Sequence, residues 1–167
     1  MDMTGKYLRV SQAELEAYLQ DRSMLEGRIY SENIASDHNL IDLDKALEGL
    51  FFLLTGASQT TIEKATEPLS LILTGTLIID PEQDSGCGPV TYMTSEQVKR
   101  ISAALDRVTA DALYSRYDAD KMMALHIYPE IWNEDDAIEY LIENFDRLKA
   151  FYNAAVSENQ SVVFFVC

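Results

Sequence analysis

The apolar positions along the chain fall into short runs with two different periods. "GKYLRV" (residues 5–10) is brief and reads as an opening strand. The next segment, "SQAELEAYLQ", has helical spacing, with Leu15, Tyr18 and Leu19 on one face. Ser11 and Glu14 are spaced as a capping box, and Val10 is placed to pack on Leu15. Patterning then weakens: "SMLE" suits a short helix and "NIASDHN" a loop. "IDLDKALEGLFFLLTG" (residues 41–56) is much more apolar. Asp42 is placed to cap a helix from Leu43 to Thr55, and Gly56 to end it in a left-handed conformation.

Pro68 suits the first turn of another helix, "PLSLILTG", and "TLIID" has strand character. "DPEQDSGCGP" is a turn-rich loop, followed by a brief strand at "VTYM". Thr94 and Gln97 repeat the box arrangement ahead of a helix that buries Val98, Ile101 and Leu105. A short helix over 111–117 and a further turn over 120–125 come next. "IYPEIW" should be extended around Pro129, because the residue before proline avoids helical geometry. Asn133 is a candidate cap for a last helix running to about Ala155, whose acidic first turn suits the positive helix end. The closing "SVVFFVC" lacks alternation, as expected of a central strand covered on both faces. The pattern predicts a single helix-rich α+β domain over 1–167, with a small sheet of three or four strands and the C-terminal strand central.

The helix predicted over 43–55 raises a question about its own surface. On a helical wheel, Leu43, Leu47, Leu50 and Leu54 make one face, with Asp44, Lys45, Glu48, Gly49 and Thr55 opposite. Phe52 falls in the middle of that polar arc, and leaving it exposed forgoes roughly 1.5–3 kcal/mol of burial. Three covers suit it: another part of the chain, a second subunit or a ligand. Gly49, which costs about 1 kcal/mol mid-helix relative to alanine, suits close approach of a backbone, a ring or a ligand. Helices apolar nearly all round are usually interior ones, so packing inside the domain is the simpler reading. The functional reading is a pocket floored by Phe52 and rimmed by Asp44, Lys45, Glu48 and Thr55. Tyr128 and Trp132 of "IYPEIW" are the aromatics suited to line it, although pinning that loop into the core explains them equally simply.

Charge changes the picture of partners. Thirteen basic residues against 28 acidic ones leave a net charge of −15. That field repels phosphate backbones and anionic lipid, which argues against nucleic-acid and membrane-surface binding, and it attracts a basic protein. Acidity also serves solubility alone. No apolar run approaches the ~20 residues of a spanning helix, and the N-terminus has no signal-like apolar stretch, so a cytoplasmic location is expected. The two cysteines, Cys87 and Cys167, make no disulfide framework, and Cys87 has no basic neighbour in sequence to activate it. The two histidines, His38 and His126, fall in no metal-ligand spacing, so no metal site is expected. No nucleophile-elbow, dinucleotide or phosphate-loop motif occurs, and no catalytic residue or cofactor is assigned.

The same segments carry a family resemblance. "MDMTGKYLRV", "IDLDKALEGLFFLLTG", "PLSLILTG", "GPVTYMTSEQV", "IYPEIW" and "YLIENFDRLKAFYNAA" occur in order over nearly the whole chain and resemble the YfbM-like bacterial domain family. That family has no established function. The resemblance implies a small cytoplasmic bacterial α+β protein. Its members often carry tryptophan where this chain has Leu47, and histidine where it has Glu48 and Phe52. Metal or acid–base chemistry resting on those histidines is therefore closed to this chain. Asp44, Lys45, Gly49, Thr55, Gly56, Tyr128, Pro129 and Trp132 keep the pattern. Three functions follow as expectations. The first is a non-enzymatic acidic module that binds a basic protein, as toxin-neutralising immunity proteins do. The second is a small-molecule site or enzyme pocket on the 43–55 helix. The third is a homodimer through Phe52. The first is preferred, because the charge is large and no catalytic constellation appears.

Overall fold

A computed structural model describes residues 3–75, 77–79 and 89–166. Cys87, Cys167 and most of the 80–89 loop lie outside these residues. Among the described residues, five strands form one antiparallel sheet, one or two more than the sequence pattern suggested. They are β1 (Gly5–Val10), β2 (Leu40–Asp42), β3 (Leu77–Ile78), β4 (Thr91–Met93) and β5 (Ser161–Val166). Their order is β2-β1-β5-β4-β3, which puts the C-terminal strand in the middle as expected. β1 pairs with β5 along its whole length, from Gly5 opposite Val166 to Val10 opposite Ser161. β4 pairs on the other side, with Thr91 opposite Phe164.

Side chains alternate across a strand, so β5 feeds two cores. Val163 and Phe165 point to one face with Leu8 and Val10 of β1. That face is covered by α1 (Gln12–Gln20) and α2 (Arg22–Ile29) through Leu15, Tyr18, Leu25 and Ile29. The Ser11–Glu14 capping box opens α1 as expected, and Asp21 caps α2. Val162 and Phe164 point to the larger core on the opposite face. There the Tyr7 ring stacks on Phe164 with centroids 4.8 Å apart, and its hydroxyl donates to the Ile72 carbonyl at 2.6 Å.

The larger core is built from the remaining six helices: α3 (Leu47–Thr55), α4 (Leu71–Thr74), α5 (Ser95–Asp106), α6 (Ala110–Arg116), α7 (Ala119–Ala124) and α8 (Ala137–Ser157). Thr94 and Gln97 form the second capping box, and Val98, Ile101 and Leu105 of α5 are fully buried. α8 contributes Phe145, Leu148, Phe151 and Tyr152 on its inner face. Phe151 and Tyr152 meet edge to face at 5.7 Å.

Several boundaries differ from the sequence reading. The central helix α3 starts at Leu47 and not at Leu43, because residues 40–42 are taken by edge strand β2 and Asp44 has a left-handed φ of 51°. Asp42 therefore caps no helix; its carboxylate accepts the Asp44 N–H at 2.8 Å in the turn between strand and helix. Pro68 precedes α4 by three residues instead of opening it. Residues 119–124 are a helix, capped by Asp118. "IYPEIW" is a series of turns, not an extended segment. Asn133 lies in a turn, and α8 begins after Asp136 without a side-chain cap. Gly56 does end α3 in the expected way, with φ 78° and its N–H on the Phe52 carbonyl.

α3 lies inside the larger core, touching α4, α6 and α8, and seven of its nine residues are buried. This position depends on Gly49. A Cβ built there would lie 2.6 Å from Cη2 of Trp132 and 3.0 Å from Cδ2 of Leu141. The indole rests against bare helix backbone. Gly49→Ala is expected to lower stability by about 1–3 kcal/mol through this overlap, outweighing the helix-propensity gain of about 1 kcal/mol. Urea denaturation measures it; unchanged or increased stability contradicts the packing.

Candidate functional site

The residues singled out on the 43–55 segment separate into three places. Asp44 and Lys45 turn toward α8. The Tyr140 hydroxyl donates to the Asp44 carboxylate at 2.7 Å and accepts the Lys45 N–H at 3.0 Å. Burial, and then the Asp44 carboxylate, hold the Tyr140 phenol well above its usual pKa. This trio ties the entry of α3 to the long helix.

Phe52 and Thr55 lie at the other end of α3. Phe52 is only 6% exposed and belongs to the larger core. The α6–α7 side supplies part of its cover: Lys121 Nζ sits 5.8 Å from the ring centroid. Arg116 donates to the Leu53 carbonyl at 3.1 Å, satisfying an acceptor at the helix end. Thr55 donates to the Phe51 carbonyl and accepts the Ala57 N–H. Thus the chain itself covers Phe52, and no second subunit or ligand is needed to bury the ring.

Glu48 is placed differently. It comes from the first turn of α3, is half-buried, and faces the 126–132 loop. The Tyr128 N–H donates to its carboxylate at 2.8 Å. Trp132 fixes that loop: it is 1% exposed and packs on Gly49, and its indole N–H donates to the Ile127 carbonyl at 2.7 Å. The Tyr117 hydroxyl holds the Trp132 carbonyl at 2.5 Å. So Trp132 acts as an anchor buried behind the site, while Tyr128 offers its backbone to Glu48.

A cleft of about 130 Å³ opens in front of the Glu48 carboxylate. Phe51, Leu73 and Ile127 form its apolar walls. Ser58, Gln59 and Thr60 bring polar groups from the 3₁₀ turn after α3. Ser58, Thr60 and Thr61 hydroxyls bond one another, so they form a connected polar rim. His126 stands at the mouth, largely exposed, with Nδ1 at 2.8 Å from Glu130. The sequence reading did not single out residues 58–60, and it gave no sign that His126, which follows the end of α7, borders the same cleft. The only signal for 58–60 was the polar run directly after the Gly56 stop.

Burial, the larger effect, pushes the Glu48 pKa above its ordinary value, and the Tyr128 N–H only partly offsets it. Among the described residues, no Lys or Arg lies within ion-pair distance of this carboxylate. The site therefore holds a partly desolvated negative charge with one backbone donor and space beside it. Such a group accepts a cation or a hydrogen-bond donor, and when protonated it can donate. Among the described residues, no cluster of His, Cys, Asp and Glu is arranged to hold a metal ion, and no helix is long and apolar enough to cross a membrane.

Comparison with known proteins agrees with the architecture. YfbM from Escherichia coli, described as a protein of unknown function, has a crystal structure that matches with a TM-score of 0.72. The match is at 15% identity and covers 98% of this chain and 99% of that one, so it is a likeness of fold. No curated protein matches the sequence. The family model of a domain of unknown function, DUF1877, matches residues 1–165, and the chain belongs to that family.

Proposed function

We propose that this chain is a non-enzymatic, acidic protein-binding module of the bacterial cytoplasm, and that it takes a cationic group of a basic partner at Glu48. The observation that carries the reading is the Glu48 carboxylate, half-buried and, among the described residues, with no Lys or Arg within ion-pair distance. Partial desolvation raises the free energy of the ionised form, and an incoming ammonium or guanidinium relieves that cost. The net charge of −15 steers a basic partner toward the surface before contact. The cleft, at about 130 Å³, is large enough for a single side-chain head group beside the carboxylate. A partner whose basic residue neutralises this acid would be blocked by the contact, in the manner of toxin neutralisation.

Two outcomes follow. With its native pKa raised, Glu48 binds more protons in the folded than in the unfolded chain between its ordinary pKa of 4.5 and the raised value. Its contribution to stability therefore falls as pH rises through that window. Glu48→Gln keeps an acceptor for Tyr128 and removes the charge, so its melting temperature should exceed wild type by a few degrees at neutral pH. Below pH about 4 the difference should vanish, since both side chains are then neutral. A variant less stable than wild type at neutral pH contradicts the assignment.

For binding, N-acetyl-lysine methylamide titrated into ¹⁵N-labelled protein should shift the amide signals of Glu48, Tyr128 and residues 58–60. Affinity should drop by about tenfold or more in Glu48→Gln, as expected for a lost hydrogen bond to a charged group. It should also weaken in high salt. Shifts elsewhere, or equal affinity in the variant, would falsify the reading.

A further inference from the structure

The Glu48 cleft does not end at its own walls. Gln59 and Leu73 also line a second cleft, of about 280 Å³, so the two adjoin across these residues. The second cleft extends over Ile62 and Pro89 to Phe164 and Val166 near the end of central strand β5. None of its described lining residues is charged, in a chain where charged residues make up 25%. One end of the combined groove thus carries a carboxylate, and the other is uncharged and mostly apolar, with Gln59, Thr74 and Thr91 as its polar residues. The two clefts, of about 130 and 280 Å³, each have room for one side chain of a segment that crosses between them. At their junction, the exposed Gln59 amide has no hydrogen-bond partner among the described residues, so it has both a donor and an acceptor to offer. A peptide group crossing between the clefts needs that pair.

We propose that the two clefts form one groove for an extended segment of a basic partner protein, with a Lys or Arg side chain at Glu48 and a neighbouring apolar side chain between Ile62 and Phe164. The inference rests on the reading of Glu48 given above and adds the chemistry of the bound segment. Charge complementarity selects this occupant. A net charge of −15 acts on a whole basic chain far more strongly than on a single amine. The mostly apolar second cleft then discriminates among basic segments, which the field alone does not do.

The experiment compares three sets of probes by amide NMR titration: N-acetyl-lysine methylamide, short peptides pairing lysine with leucine at several spacings, and the same peptides with alanine for leucine. The best leucine peptide should bind about tenfold or more tighter than its alanine counterpart, in line with burial of a leucine side chain. Only the leucine peptide should shift the signals of Ile62 and Phe164. Ile62→Ser, which removes the apolar surface without adding charge, should abolish the gain and leave binding of the lysine amide unchanged. If that variant does not fold, the leucine–alanine comparison on wild type decides alone. No leucine gain at any spacing, or a gain without shifts at the second cleft, overturns the groove while leaving the Glu48 reading intact. Failure of the lysine amide itself to shift Glu48 overturns both. Octylamine binding as tightly as the best peptide replaces the segment by a simple amphiphile. Self-association in light scattering that is lost in Ile62→Ser replaces it by a second copy.

Discussion

The contact between the Trp132 indole and the bare backbone at Gly49 organises both the core and the candidate site. It lets a large aromatic ring lie against the interior helix α3. The same ring holds the 127–132 turns through its bond to the Ile127 carbonyl. Because these turns are fixed, the Tyr128 N–H arrives at the Glu48 carboxylate, 80 residues away in the chain. A side chain at position 49 would push the ring outward and move the Tyr128 donor with it. Packing in the core and electrostatics at the cleft are therefore one problem in this fold.

The sheet supplies the second constraint. Its middle strand β5 is covered on both faces, which requires helices on both sides. The short pair α1 and α2 covers one side, and all the elements of the Glu48 cleft lie on or beside the other. An acidic group within that larger core is costly, and its placement at the core's edge limits the cost. Partial burial leaves Glu48 ionisable but unfavourably so. On the proposed reading, this balance is what an incoming cation relieves.

Much of this was legible in the chain. The apolar, non-alternating "SVVFFV" marks the central strand because both of its faces are buried. The two capping boxes at Ser11 and Thr94 are local signals, and local geometry satisfies them. The start of α3 was not legible. Leu43 and Ala46 fall in helical period with Leu47 and Leu50 although they precede the helix, and the left-handed backbone at Asp44 leaves no mark in an apolar pattern. The edge strand β2, only three residues long, is too short to show an alternation. In the site, Gly49 signalled a close approach without saying to what. Phe52 was the conspicuous residue on the wheel, yet it is covered from within the chain. Glu48 and Tyr128 were both named for one pocket, but the wheel did not separate Glu48 from Asp44, Lys45 and Thr55, and the contact with position 128 is made by its backbone N–H, which the aromatic pattern does not mark.

The central claim is that the ionised form of Glu48 is held at a cost that a cation relieves. The direct measurement is the pH titration of its side-chain carboxyl ¹³C signal, without and with N-acetyl-lysine methylamide. The account predicts a midpoint above the ordinary glutamate range in the free protein and a downward movement when the ligand is present. An ordinary midpoint that the ligand does not move would contradict it.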